Sequence, residues 1–179
     1  MKARNVLPPA LVRELFDYDP ATGILTWKVL AAKKTRVGNR AGCATWTGRE
    51  KKRHSRFVGF RGKKYAEHTL IWIWMTGTVP SEEIDHKNRI SDDNRWHNLR
   101  SATRSQNQAN TGPYRNCRSG VRGVHFIPSG TDGRRTGTWR AMITKDGKAR
   151  HLGYFTERWQ AQEAWQRAAA EAHGIFAAA

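Results

Sequence analysis

The residues able to do chemistry collect in "EIDHKNRISDDNRWHNLRSATRSQNQAN" (83–110), where Asp85 precedes His86 and Asn94, Asn98, Asn107 and Asn110 follow. Asp85 and Asn107 offer two hard oxygens to a cation and leave other positions for water and phosphate oxygens. That set suits Mg²⁺ or Mn²⁺, one ion per site, better than Zn²⁺, for which more His or Cys ligands are expected. His86, beside the metal but free of it, carries the side chain best suited to take a proton from an attacking water near neutral pH. A metal, a base and a basic groove are the parts needed for phosphodiester hydrolysis. An Asp-His pair on its own carries little weight, since most such pairs have no catalytic role.

These residues need a scaffold, and the flanking sequence predicts one. "EIDH" and "LRSA" (99–102) read as paired strands, and "TRSQNQAN" opens a helix with Thr103 as cap and Gln106 three positions on. Strand, long loop, strand and helix bring Asn107, one turn into the helix, toward the end of the first strand. Upstream, "PPALVRELF" predicts a short helix with Leu11, Val12, Leu15 and Phe16 on its apolar side, and "ILTWKVL" (24–30) predicts a strand. A long basic loop with at most short strands follows. "RFVGFRGKKYAEH" predicts a hairpin turning at Gly62, and "TLIWIWMTG" a buried helix or strand ending at Gly77, with the helix favoured.

Lys and Arg outnumber Asp and Glu by 32 to 15 over 179 residues, giving a net charge of +17 spread along the whole chain. A polyanionic partner is the simplest cause. The hydrophobic content of 38% and eight tryptophans suffice for compact cores. The longest apolar run, "LIWIWM", falls far short of the roughly 20 residues that span a bilayer, and the first residues lack a leader's apolar region. A cytoplasmic protein with no membrane partner is expected. Cys43 and Cys117 are single and far apart, which supports neither a zinc ribbon nor a disulfide framework.

The spacing His86, eleven residues, Asn98, eight residues, Asn107 resembles the HNH endonuclease signature, in the branch where asparagine replaces the last histidine. The resemblance extends to "IDH", "DDNR", "NLR" and "RSQNQAN". It implies a ββα-metal (His-Me finger) domain, with His86 as general base, Asp85 and Asn107 on the metal, and Asn98 pinning the loop and orienting His86 through backbone hydrogen bonds. Asn94 matches a recurrent position of the branch, with a turn-stabilising role equally open. "EHTLIWIW" resembles the segment before the motif in phage-type members, where His is followed by Arg; Thr69 departs from that, and His68 is open between packing and phosphate contact. Arg100 and Arg104 are expected on backbone phosphates or on a solvated basic face.

After "TGPYRNCRSG", a linker at 112–119, the pattern changes. "GVRGVHFIPS", "TWRAMITKDG" and "KARHLGYFT" alternate apolar with polar residues as a three-stranded meander, and "TERWQAQEAWQRAAAEAHG" reads as a helix capped by Thr156. Its stripe of Ala161, Ala164, Trp165, Ala168, Ala169 and Ala172 suits close packing on a sheet. Arg122-Gly123-Val124, Trp139-Arg140-Ala141, Leu152-Gly153-Tyr154-Phe155 and the alanine helix resemble the APETALA/ethylene-response-factor type DNA-binding domain. There the sheet lies in the major groove with the helix behind it. Alternation puts Arg122, Arg140 and Arg150 among the outward positions, Trp139 can pack on sugar or base, and His125 stands where that family has Arg.

The expected architecture is α+β. It comprises an N-terminal extension (1–50), an HNH core (51–111), the linker, and a three-stranded antiparallel sheet packed on one helix (120–176). The expected activity is metal-dependent hydrolysis of double-stranded DNA, with no small-molecule substrate. A monomer nicks, and double-strand cleavage needs a dimer or two binding events; a phage- or bacterium-encoded protein is implied. Two alternatives stay open: a non-catalytic DNA-binding protein that keeps the fold, and a basic protein of structured RNA.

Overall fold

Proline opens the first helix. α1 (Pro9–Leu15) carries Pro9 at its first position, where the missing N–H is no loss, and buries Val12 and Leu15. The computed structural model describes residues 5–31, 35–47, 53–113, 117–130 and 137–177, and the chain divides into two units, Met1–Ala102 and Thr103–Ala179. Phe16, expected as the last apolar residue of the helix, instead begins β1 (Phe16–Asp19) and packs on Trp27 of β2 (Ile24–Trp27), with ring centroids 4.7 Å apart. The strand predicted over 24–30 stops at Trp27, because the antiparallel register ends with Phe16 opposite Trp27.

β3 (Cys43–Thr47), β4 (Arg53–Phe60) and β5 (Lys63–Ala66) form an antiparallel sheet in that order. Arg61 and Gly62 make its tight turn, both at positive φ. α2 (Glu67–Thr76) follows β5 at once and ends where Gly77 takes φ 71° and returns its N–H to the Ile73 carbonyl. The run "LIWIWM" makes this helix apolar on nearly every side, so it occupies the core with Leu70, Ile71 and Ile73 fully buried. Full burial of each such side chain contributes about 1.5–3 kcal/mol. β6 (Glu83–His86) and β7 (Leu99–Ala102) then pair antiparallel, with Asp85 opposite Arg100 and His86 opposite Leu99.

In the second unit, α3 (Arg104–Ala109) has the predicted reciprocal cap between Thr103 and Gln106. β8 (Val124–Ile127), β9 (Thr138–Lys145) and β10 (Lys148–Phe155) form a three-stranded antiparallel sheet. α4 (Arg158–His173) lays Ala161, Trp165, Ala168 and Ala169 on Val124, Ala141 and Ile143. Its cap is Glu157 rather than Thr156, because Gln160 lies three residues after Glu157 and completes the box, while the Thr156 hydroxyl donates to Gln160 Oε1 at 3.2 Å. Residues 114–116 of the expected linker and 131–136 of the long turn lie outside the described residues. The fold is mixed α+β, and among the described residues no helix is long and apolar enough to cross a membrane.

Candidate active site

The loop between β6 and β7 folds around one amide. Asn98, buried at the end of a short 3-10 turn, donates from Nδ2 to the Asp93 carbonyl at 2.7 Å and to Asn88 Oδ1 at 3.0 Å. Its Oδ1 accepts the Asn88 N–H at 3.0 Å, and its backbone carbonyl accepts the Lys87 N–H at 2.9 Å. Asn88 also closes a turn onto the Ile90 N–H, and Arg95 grips both oxygens of Asp93 at 2.8 and 2.6 Å. Those Arg95 hydrogen bonds, joined by the Asn88 contact and outweighing the opposing effect of burial, hold the Asp93 carboxyl well below the usual carboxylate range. His86 leaves β6 at the mouth of this loop, and Arg89 turns the chain after it at φ 64°.

His86 is buried and meets Asn94, with Nε2 2.9 Å from Oδ1. The ring also stands edge-on to His68 of α2, with centroids 5.3 Å apart and planes at 86°. Asn94 is 2% exposed and is held from three sides. Its carbonyl accepts the Tyr18 hydroxyl of β1 at 2.8 Å. The turn between β1 and β2 lies against its backbone, since a Cβ on Gly23 would come within 2.6 Å of the Asn94 carbonyl carbon. Its Nδ2 is turned to the Glu67 carboxylate, whose charged form it favours, in a contact looser than a well-formed hydrogen bond.

Glu67 itself is wholly buried at the N-terminus of α2, where the helix dipole favours a negative charge. Arg56 Nε lies 2.7 Å from Oε2, an ion pair angled away from a good hydrogen bond, and Arg40 Nη2 lies 3.8 Å from Oε1. Burial pushes the Glu67 carboxyl up, while Arg56, Arg40 and the Asn94 amide pull against it. Burial, followed by the charges of Asp19, Glu67 and Asp93, raises Tyr18 to about 12. Neither Glu67 nor Arg56 stood out in the sequence. A charged residue opening an otherwise apolar helix was the one available signal.

Asp85, also buried, is turned to its cross-strand partner, with Arg100 Nε donating to Oδ2 at 2.8 Å. Arg100, expected on phosphates, is thus committed to the hairpin by register and half-buried there. Asn107 lies in α3, in the second unit, half-buried with its N–H on the Thr103 carbonyl at 2.9 Å; Arg104 begins the same helix and is exposed. Among the described residues, no group of three or more His, Cys, Asp or Glu is gathered as a metal site.

Of the second unit's expected DNA contacts, His125 and Arg140 stand opposite each other on β8 and β9, with Tyr154 opposite Arg140 on β10. Three others take different places. A register break between His151 and Gly153 sets Arg150 opposite Ile143, on the helix side, where it donates to Glu171 Oε2 of α4 at 3.3 Å. Trp139, in the same alternation as Ala141 and Ile143, packs toward the helix and against the Phe126 ring. Arg122 precedes β8 and donates to the Gln108 and Thr111 carbonyls beside the end of α3.

Residues 65–109 match the family model described as HNH endonuclease. No curated protein and no solved structure matches the chain. The match spans β5 through α3 and supports a nuclease-like domain in that segment. It ends before residue 120, and no comparison supports the ethylene-response-factor resemblance of the C-terminal segment.

Proposed function

We propose that the chain is a divalent-metal-dependent endonuclease that hydrolyses phosphodiester bonds of double-stranded DNA and nicks as a monomer, with double-strand cleavage requiring a dimer or two binding events. The observation that carries this reading is the buried Asp85-His86 pair at the end of β6, inside a segment matching HNH endonucleases, in a chain of charge +17. His86 takes the proton of the attacking water, and Asn98 keeps the loop after it closed. HNH nucleases typically use a divalent cation. The residues here suit a hard one: the Asp85 carboxylate and, by its spacing in the motif, the Asn107 amide are hard oxygen donors. When bound, Mg²⁺ or Mn²⁺ supplies Lewis-acid stabilisation of the charge that develops on the phosphate and the leaving oxygen.

Duplex binding falls in this reading to the sheet of the second unit, in line with the ethylene-response-factor resemblance, with His125 and Arg140 as the positions to test first. Supercoiled plasmid incubated with Mg²⁺ or Mn²⁺ is nicked, chelator abolishes nicking, and His86→Ala abolishes it too. If wild type binds duplex but never nicks with any divalent cation, the enzyme reading is lost. One observation favours the second reading, a non-catalytic DNA-binding protein: Arg100 already neutralises Asp85. In that case Arg100→Ala leaves the protein as inert as before.

A further inference from the structure

We propose that Asn94 is the positioning residue of His86: its amide oxygen accepts from Nε2, holds the neutral imidazole in the Nε2–H tautomer and leaves the proton-accepting lone pair on Nδ1. The role of His86 as a base rests on the nuclease reading above; the tautomer does not. An amide oxygen is an acceptor only, so the 2.9 Å contact to His86 Nε2 is satisfied when Nε2 carries the hydrogen. The opposite pairing requires the Asn94 amide to turn over. That would aim Oδ1 at the Glu67 carboxylate, acceptor against acceptor, at a fully buried place where an unpaired polar contact is costly.

Glu67 therefore decides which end of the amide faces the histidine, and Arg56 and Arg40 keep Glu67 in place. Tyr18 fixes the Asn94 carbonyl, and the Trp96 N–H donates to the Pro20 carbonyl at 3.1 Å, so the β1–β2 hairpin holds the backbone on both sides of Asn94. His68, edge-on, limits rotation of the His86 ring. The set is a carboxylate, an amide and an imidazole in series, built from α2 and the β6–β7 hairpin. An orienting group that fixes tautomer without touching substrate is a familiar requirement of imidazole bases.

The test uses the full chain labelled with ¹⁵N-histidine, reading the ring tautomer of the neutral His86 from long-range ¹H–¹⁵N spectra, assigned by its loss in His86→Ala. Wild type is expected as the Nε2–H form. Asn94→Ala should give a mixture, and Asn94→Asp combined with Glu67→Gln, which keeps an acceptor toward Nε2 and faces its second oxygen with an amide donor instead of a carboxylate, should restore the single form. Glu67→Gln, which can accept or donate, should loosen it. In plasmid nicking, Asn94→Ala should lose on the order of 10²-fold in kcat with KM little changed, and the Asn94→Asp, Glu67→Gln double variant should recover at least tenfold of that loss. Should Asn94→Ala not fold, Glu67→Gln and the double variant carry the comparison. A wild-type ring in the Nδ1–H form, or a ring unchanged by Asn94→Ala and Glu67→Gln alike, overturns the proposal. If wild type nicks nothing, the nuclease reading fails, and the ring spectrum alone decides the role of Asn94.

Discussion

Gly23→Ala should damage both the stability of the first unit and the His86 site, and Gly62→Ala separates the two causes. Both glycines sit at nearly the same positive φ, 74° and 73°, in tight turns of two-stranded pairings. A Cβ there costs about 1–2 kcal/mol for the left-handed backbone alone. Around Gly62 nothing lies within 4 Å, so that is the whole effect. At Gly23 the new carbon would stand 2.5 Å from Arg95 N and 2.6 Å from the Asn94 carbonyl carbon, whereas ordinary contact begins at 3.4 Å. Both atoms are backbone, so no rotamer change relieves the clash, and the loop must retreat by nearly 1 Å. Overpacking of that kind adds about 1–3 kcal/mol, for a total of about 2–5 kcal/mol against about 1–2 kcal/mol for Gly62→Ala. The retreat also carries Asn94 away from His86, and a 1 Å misplacement at a catalytic group is worth on the order of 10²-fold in rate. Urea unfolding followed by tryptophan fluorescence gives the first number, and plasmid nicking well below the transition gives the second. Equal stability and equal kcat in the two variants would refute the idea that the β1–β2 turn braces the site.

Removing Arg56 leaves the buried Glu67, among the described residues, with Arg40 as its paired cation, whose side chain is 39% exposed, so Arg56→Ala should cost about 3–5 kcal/mol while Arg40→Ala costs about 1 kcal/mol or less. The Arg56→Ala deficit should also shrink as pH falls. Glu67 has a folded pKa raised by burial, the protonated form is the one burial tolerates, and the penalty returns as pH rises through that folded pKa; a deficit independent of pH in denaturant titrations counts against the buried charge. Tyr18, raised from 10.0 to about 12, should appear as a late phenol in an ultraviolet absorbance titration, absent in Tyr18→Phe. Its contribution to stability is full below pH 10.0 and is lost as pH rises toward about 12. Gly123→Ala, at φ 72° with a Cβ 2.2 Å from the Met142 carbonyl oxygen and 2.7 Å from Trp165 Nε1, should lower the urea midpoint of the second unit by an amount matching about 2–5 kcal/mol. A variant with the wild-type midpoint contradicts the packing of Trp165 over that turn.

Local signals carried most of the element order. The apolar run at 70–75 reads as a buried element, helix or strand, and the structure makes it a helix. The Thr103–Gln106 box reads as a helix start because its two hydrogen bonds lie within four residues. The errors came from interactions of longer range. Phe16 left the helix because Trp27 gives it a better burial as a strand partner. Arg150 left the outward face because a bulge, which alternation cannot anticipate, shifts everything before it by one residue.

The same distinction explains the site. Asp85, His86 and Asn98 lie within one hairpin, so their spacing is itself a structural statement, and the hydrogen bonds of Asn98 to residues 87, 88 and 93 follow from loop closure. Asn94 belongs to that loop too, and as a loop residue it needs no further explanation. Its second identity depends on Tyr18, 76 residues away, on the bare backbone of Gly23 and on the buried charge of Glu67. None of these pairs is periodic, and no residue in the set has an unusual type for its own segment. A hydrogen-bond acceptor for an imidazole can be supplied by any amide that is held still. What distinguishes Asn94 from Asn88, the exposed amide of the same loop, is that the N-terminal hairpin and α2 leave it one orientation, which makes the first strands of the chain part of the site's chemistry as well as its support.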